Sequence, residues 1–256
     1  MYIHLFSNKI LHSECLFESW QRIVIVATYL LRITDLTVDL AIHANADDTW
    51  QNNMQRRTIH AEEFCADQKL LDKHDAAGNF WVAEETKILY CSVEKAGCSS
   101  TKLVLKYLNG GRFPEKVPPT KVLINNQFAD YTKILFVREP VERLVSAFRY
   151  TTMKNLSRFA SMIEEISRLY HTKNATASMK AHVTFEEFIK YVVEERQLKK
   201  LWCTIENLCQ PCQINYDYIG KYETFTEDLA NIIMKFRNRT FDDAKHFVPH
   251  AKSKSR

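Results

Sequence analysis

Ile88-Leu89-Tyr90-Cys91-Ser92-Val93 is an unbroken β-favouring run of the kind a buried parallel strand shows. Leu103, Val104, Tyr107 and Leu108 follow at helical spacing, so the pattern predicts strand, short loop, then helix. The loop, Glu94-Lys95-Ala96-Gly97-Cys98-Ser99-Ser100, is small and polar, and Ser99 or Ser100 is expected to cap the helix. The pattern then repeats. Thr86-Lys87-Ile88-Leu89-Tyr90 is echoed by Thr132-Lys133-Ile134-Leu135-Phe136, and Val141, Leu144, Val145 and Phe148 form an apolar stripe behind Pro140. Ser146 falls off that stripe, on the side shared with Glu142 and Arg149. Residues 109–120, rich in glycine and proline, read as a loop joining the two units.

Three more amphipathic helices follow from the same spacing rule. One carries Phe159, Met162, Ile163, Ile166 and Leu169. A second carries Phe185, Phe188, Ile189, Val192 and Val193, opened by a capping box at Thr184-x-x-Glu187. A third carries Leu229, Ile232, Ile233 and Phe236, with a matching box at Thr224-x-x-Glu227. Asp35 to Lys73 is polar with weak helical patterning and reads as a linker. The apolar run Ile23 to Leu31 is nine residues long between Arg22 and Arg32. A spanning helix needs about 20, so a bilayer span fits poorly, whereas a signal-peptide core or a surface or buried helix fits the length.

Strand, small-residue loop and helix N-terminus together make a phosphate site, because the unpaired N–H groups and the helix dipole face an anion. Lys95 adds a mobile charge to the first such loop. Arg138, just before the second helix, offers a fork that grips phosphate. Two units, each with a basic residue at its mouth, point to a ligand with two separate phosphate groups.

Bulk composition narrows the alternatives. The chain has 256 residues, 46% of them hydrophobic, enough for one sizeable core. A net charge of +4 suits anionic ligands but is too weak for nucleic acid, and no basic run interleaves with aromatics. The sequence lacks G-x-x-x-x-G-K-[ST], which disfavours a P-loop kinase. Seven cysteines allow disulfides and leave at least one unpaired. Cys209-x-x-Cys212 is read first as structural disulfide chemistry, then as a zinc half-site or redox pair, with no partners assignable. No metal is expected. Sequons stand at Asn155, Asn174 and Asn238, and His60, His74, His171, His182, His246 and His250 read as surface residues.

The paired motifs resemble those of the Golgi carbohydrate sulfotransferases, in the branch containing chondroitin and dermatan 4-O-sulfotransferases. The first motif is Glu94-Lys95-Ala96-Gly97-Cys98-Ser99. The second, of the form Arg-x-Pro-x-x-Arg-Leu-x-Ser-Ala-Phe, is matched throughout by Arg138 to Phe148. A third block, Leu208-Cys209-Gln210-Pro211-Cys212 through Tyr216 to Thr224, resembles the downstream signature. The resemblance implies an α/β fold with a mostly parallel sheet flanked by helices, P-loop-like, and the donor 3′-phosphoadenosine 5′-phosphosulfate at the strands' C-terminal ends. It implies that Lys95, Ala96, Gly97, Cys98, Ser99 and Ser100 hold the 5′-phosphosulfate, with Lys95 catalytic, and that Arg138 and Ser146 hold the 3′-phosphate. The acceptor would be a glycosaminoglycan or similar glycan, with the 109–120 loop as a candidate edge of its cleft. Residues 1–60 would be an N-terminal region with a degenerate signal-anchor and stem, and 61–256 a Golgi-luminal catalytic domain of a type II membrane protein. Glu223 is read either as a site residue or as a charge approaching a helix. The sequence departs from the pattern in three ways. Glu94 replaces a proline, Leu201-Trp202 stands where a His-Trp pair is usual, and the C-terminal helical segment is short of the family's.

Overall fold

The computed structural model describes residues 50–67, 78–123, 127–152, 157–170, 183–194, 201–237 and 240–249. The apolar run at 23–31, the three sequon asparagines and His74, His171, His182 and His250 lie outside them. Two compact units are distinguished. One takes residues 1–48 and 154–197, and the other takes 49–153 and 198–256.

The larger unit is built on a five-stranded sheet, order β3-β1-β2-β4-β5, with β1 at Asn79–Ala83, β2 at Ile88–Ser92, β3 at Glu115–Val117, β4 at Thr132–Val137 and β5 at Tyr218–Lys221. β2, β4 and β5 run parallel, whereas β1 is antiparallel to both β2 and β3. The sheet is therefore mixed rather than mostly parallel. The cause is local: only the 3₁₀ turn Glu84–Thr86 and Lys87 separate β1 from β2. So short a connection closes a hairpin, and a parallel pair needs a crossover of a dozen or more residues. The expected loop at 109–120 is also more ordered than its Gly/Pro content suggested. It contains β3, and Pro119 opens a short helix, α3 (Pro119–Leu123).

The parallel half follows the sequence echo. All of β2 is buried, and in β4 Ile134, Leu135 and Phe136 are buried. Tyr90 pairs with Ile134 and Cys91 with Leu135, so the echoed residues are offset by two positions, which keeps each on its own face. Carrying that register three residues past the last pair, Cys91 and Leu135, brings Glu94 level with Arg138. Helices α2 (Cys98–Leu108) and α4 (Pro140–Thr152) return from these strands, and α8 (Phe225–Phe236) returns from β5. One face of the sheet packs Ile88, Tyr90, Ile134 and Phe136 against Val104, Leu108, Leu229 and Ile233, while the other packs Leu89, Cys91 and Leu135 with Leu208 and Ile214.

The stretch read as a linker includes a helix, α1 (Trp50–Asp67). Polar contacts from Trp50 and Arg57 anchor it. Asp228, 1% exposed, accepts from Trp50 Nε1 (3.0 Å) and Arg57 (2.7 Å), and also from Lys221 N–H and Thr224 Oγ1. Burying that carboxylate is tolerable because charge and hydrogen bonds are both met. Hydrophobic periodicity carries no trace of such an anchor. It also explains why the box expected at Thr224-x-x-Glu227 is not made: Thr224 is spent on Asp228. Disulfides Cys65–Cys212 and Cys91–Cys209 staple α1 and β2 to the segment around α7 (Ile205–Cys209). Closing loops of 147 and 118 residues contributes about 4–5 kcal/mol each in the chain-entropy picture.

In the smaller unit, α5 (Ala160–Tyr170) packs on α6 (Phe185–Glu194), burying Met162, Ile166, Phe188 and Tyr191. Tyr191 donates to Glu165 (2.8 Å) and Tyr170 to Glu194 (3.0 Å). Here the capping box forms as expected. Thr184 N–H donates to Glu187 (2.7 Å), and Glu187 N–H donates to Thr184 Oγ1 (3.2 Å). No helix among the described residues is long and apolar enough to cross a membrane.

Candidate functional site

Three parallel strands deliver three loops side by side. After β2 the chain turns through Val93 to Gly97, with Ala96 N–H bonded to Val93 O (3.2 Å). Lys95 (φ +69°) and Gly97 (φ +84°) are both left-handed. For Lys95 that costs roughly 1–2 kcal/mol, so its neighbours must hold it there. Gly97 is required twice over: its φ disfavours a side chain, and a Cβ would lie 2.4 Å from the Phe225 ring. Gly97, not a serine, is the N-cap of α2, which begins two residues earlier than a Ser99 cap and three earlier than a Ser100 cap. The first ladder bond runs from Thr101 N–H to Gly97 O (3.0 Å). The amides of Cys98, Ser99 and Ser100 therefore precede the ladder, at the positive end of the helix dipole. Ser99 is exposed, Ser100 half-buried and Cys98 buried. Lys95 Nζ stands 4.1 Å above the Tyr150 ring centroid, a cation–π contact with α4.

The second loop is organised differently. Glu139 folds its carboxylate back onto the start of α4, accepting from Val141 N–H (3.0 Å) and Glu142 N–H (2.6 Å). That helix end already holds an anion. Its basic residue works through its side chain instead: Arg138 donates to Lys95 O (3.3 Å) and Glu142 (3.2 Å), and lies 4.4 Å above the Tyr222 ring centroid. Tyr222 N–H bonds Val137 O, and Glu223 accepts from Glu139 N–H (3.0 Å), so the third motif buttresses the second loop. Ser146 is half-buried two turns along α4.

Along α4 the expected apolar stripe is not the buried face. Val141 is 60% exposed, Leu144, Val145 and Phe148 are half-buried, and the buried line is Arg143, Ala147 and Thr151. Arg143, which by itself reads as a helix-end surface charge, is 7% exposed. It donates through Nε to Glu94 O (3.0 Å) and through Nη1 to Cys203 O (2.9 Å). Burial pulls its pKa down to about 10, and it stays a cation at neutral pH. Glu94, the charge placed beside an anion site, accepts from the Cys98 thiol (3.4 Å). Burial, and then the Glu94 charge, push that thiol's pKa up, so Cys98 is poorly nucleophilic.

The residues expected from the first and second motifs thus meet at one end of the sheet: Lys95, Ala96, Gly97, Cys98, Ser99, Ser100 and Arg138. Arg143, Tyr150 and Tyr222 join them without having been expected. Arg143 stood only as the second arginine of the second motif and Tyr222 only as part of the third block, with no role given to either, and nothing in the pattern separated Tyr150 from core aromatics. A separate hollow of about 260 Å³, lined by Phe128, Lys133 and Ile214, opens at the N-terminal end of β4 and contains none of these residues. His60 and His246 are exposed. Among the described residues, no group of three or more His, Cys, Asp and Glu side chains is placed to hold a metal ion.

Residues 78–246 match the family model described as the sulfotransferase family. Carbohydrate sulfotransferase 11 of Danio rerio is 36% identical over 199 residues, covering 67% of this chain and 56% of the relative. Carbohydrate sulfotransferase 9 of Homo sapiens is 30% identical over 230 residues, covering 74% and 49%. Carbohydrate sulfotransferase 14 of Danio rerio is 34% identical over 180 residues, covering 59% and 46%. The chain spans about half the length of these relatives. No solved structure matches.

Proposed function

The chain belongs to the sulfotransferase family, and from that premise we propose that it transfers the sulfuryl group of 3′-phosphoadenosine 5′-phosphosulfate to a hydroxyl of chondroitin or a similar glycosaminoglycan. One observation carries the reading. Arg138 of the second unit donates to the carbonyl of Lys95 in the first, 43 residues away, so two basic residues and an open helix N-terminus share one site. The residues present fit a donor with phosphate at both ends. The amides of Cys98, Ser99 and Ser100, with the turn through Ala96 and Gly97, suit the 5′ end, and the Arg138 guanidinium with Ser146 suits the 3′-phosphate.

The donor supplies an activated sulfuryl group on a phosphate leaving oxygen. This chain's part is positioning and charge stabilisation. Lys95 Nζ, leaving the Tyr150 ring, places its charge where the leaving oxygen gains negative charge. Arg138, with its guanidinium resting on Tyr222, fixes the register. The acceptor hydroxyl must lose a proton, and the residue that takes it is not assigned: Leu201 occupies the position where the family pattern has histidine. Disulfides at Cys91–Cys209 and Cys65–Cys212 suit an oxidising compartment and support a Golgi-luminal location, anchored as a type II membrane protein.

A second reading rests on Glu94 and Leu201: a relative that binds the nucleotide and glycan without turnover. Calorimetric titration with 3′-phosphoadenosine 5′-phosphate, beside Arg138→Ala, tests the site. We expect micromolar binding, weakened about 10- to 100-fold in the variant by loss of charge-assisted hydrogen bonds. Folded protein that ignores the nucleotide would exclude the donor site. Labelled-sulfate transfer to desulfated chondroitin then separates enzyme from binding relative, and a Mg²⁺ requirement would favour kinase-type chemistry instead.

A further inference from the structure

We infer that Arg143 is a positioning residue that fixes the turn carrying Lys95, by holding the carbonyls of Glu94 and Cys203 together. The inference rests on the donor-site reading for its consequence in catalysis, but the geometry is independent of any ligand. A guanidinium on the buried face of a helix gives up its hydration, and here its donors reach into two distant segments. Nε bonds Glu94 O at 3.0 Å, 49 residues away, and Nη1 bonds Cys203 O at 2.9 Å, 60 residues away.

The two carbonyls are not equivalent. Cys203 precedes α7, which Cys209 staples to Cys91 on β2. That side is rigid. Glu94 opens the turn whose backbone is strained at Lys95. Arg143 therefore ties the strained turn to a fixed support, and Arg138 draws the next carbonyl, Lys95 O, in the same way (3.3 Å). With two successive carbonyls engaged by arginines and left-handed backbone at alternate residues, the turn is held where it leads into the amides of Cys98, Ser99 and Ser100 at the start of α2. An arginine serving only to fill the interior would need no such pair of carbonyls. A lysine presents its donors from a single nitrogen rather than across a planar fork, so it holds the two carbonyls less well.

The test uses the full chain with Arg143→Met and Arg143→Lys, and Arg112→Ala as a surface control that removes an exposed pair with Glu85. Amide hydrogen exchange is followed peptide by peptide. In Arg143→Met we expect exchange across 94–101 to quicken at least tenfold while β4 and α8 keep wild-type rates. In the transfer assay kcat should fall at least tenfold with the acceptor KM within threefold, and Arg143→Lys should recover part of both. Unchanged exchange in the turn overturns the inference. So does an increase spread evenly over the sheet, which is the signature of a merely structural arginine. Should Arg143→Met not fold, Arg143→Lys carries the same comparison. A wild-type chain that binds no 3′-phosphoadenosine 5′-phosphate would sink the donor reading alone, because the exchange pattern still decides whether Arg143 sets the turn.

Discussion

The units β2–α2 and β4–α4 start from nearly the same five residues and arrive at opposite electrostatics. In the first, the helix begins on Gly97 with three amides ahead of its ladder, and the carboxylate of Glu94 takes the Cys98 thiol. In the second, Glu139 occupies the equivalent amides with its own carboxylate, and the cation stands outside as Arg138. An open helix end presents fixed partial charges to an anion and orders it closely. A capped end with a guanidinium at its mouth offers a longer, adaptable grip. The first arrangement suits the group undergoing chemistry and the second suits an anchor. The difference arises from one residue after each strand pair: a glycine lets the first turn go left-handed, and a glutamate before Pro140 closes the second.

Breaking the open unit should have the largest effect. Lys95→Ala is expected to lower the turnover number about 10²–10³-fold, the usual loss when one charge-stabilising group is removed. Binding of 3′-phosphoadenosine 5′-phosphate should weaken far less, and calorimetry beside single-turnover kinetics checks the split. If the variant retains full turnover, the unit is not the reacting end.

Opening the closed unit gives a smaller and different change. Glu139→Ala removes the acceptor for two amides of α4 and the charge at its dipole, and should destabilise the protein by about 1 kcal/mol in denaturant titration. Nucleotide affinity should hold or rise, since a vacant helix end then lies beside Arg138. A marked fall in affinity would show that Glu139 orders Arg138 rather than merely capping the helix.

The smallest change sharpens the contrast inside the first unit. Glu94→Gln removes a negative charge beside an anion site, and should tighten nucleotide binding roughly two- to fivefold at low salt, less as ionic strength rises. The same variant lowers the Cys98 pKa, because Glu94 is one of the two causes that raise it, the other being burial. A lower thiol pKa means more thiolate at a given pH, so Cys98 alkylation should quicken while staying slower than for an exposed thiol. An unchanged rate would mean that burial alone protects it.

Sequence by itself determined the local parts. The strands β2 and β4, the helices behind them, the cap at Thr184 and the basic residues Lys95 and Arg138 all follow from periodicity and residue chemistry over a dozen positions, and the motif order made the family legible. Tertiary structure decided what depends on distant partners. The pairing of β1 with β3, the anchoring of α1 by Asp228, the pairing of Cys65 with Cys212 and of Cys91 with Cys209, and the burial of Arg143 each join residues far apart in the chain. Hydrophobic pattern reports which face of an element avoids water. It does not report that a cation can be buried when two carbonyls from other segments meet it, because that exchange of hydration for hydrogen bonds exists only once the strands have brought the three segments together.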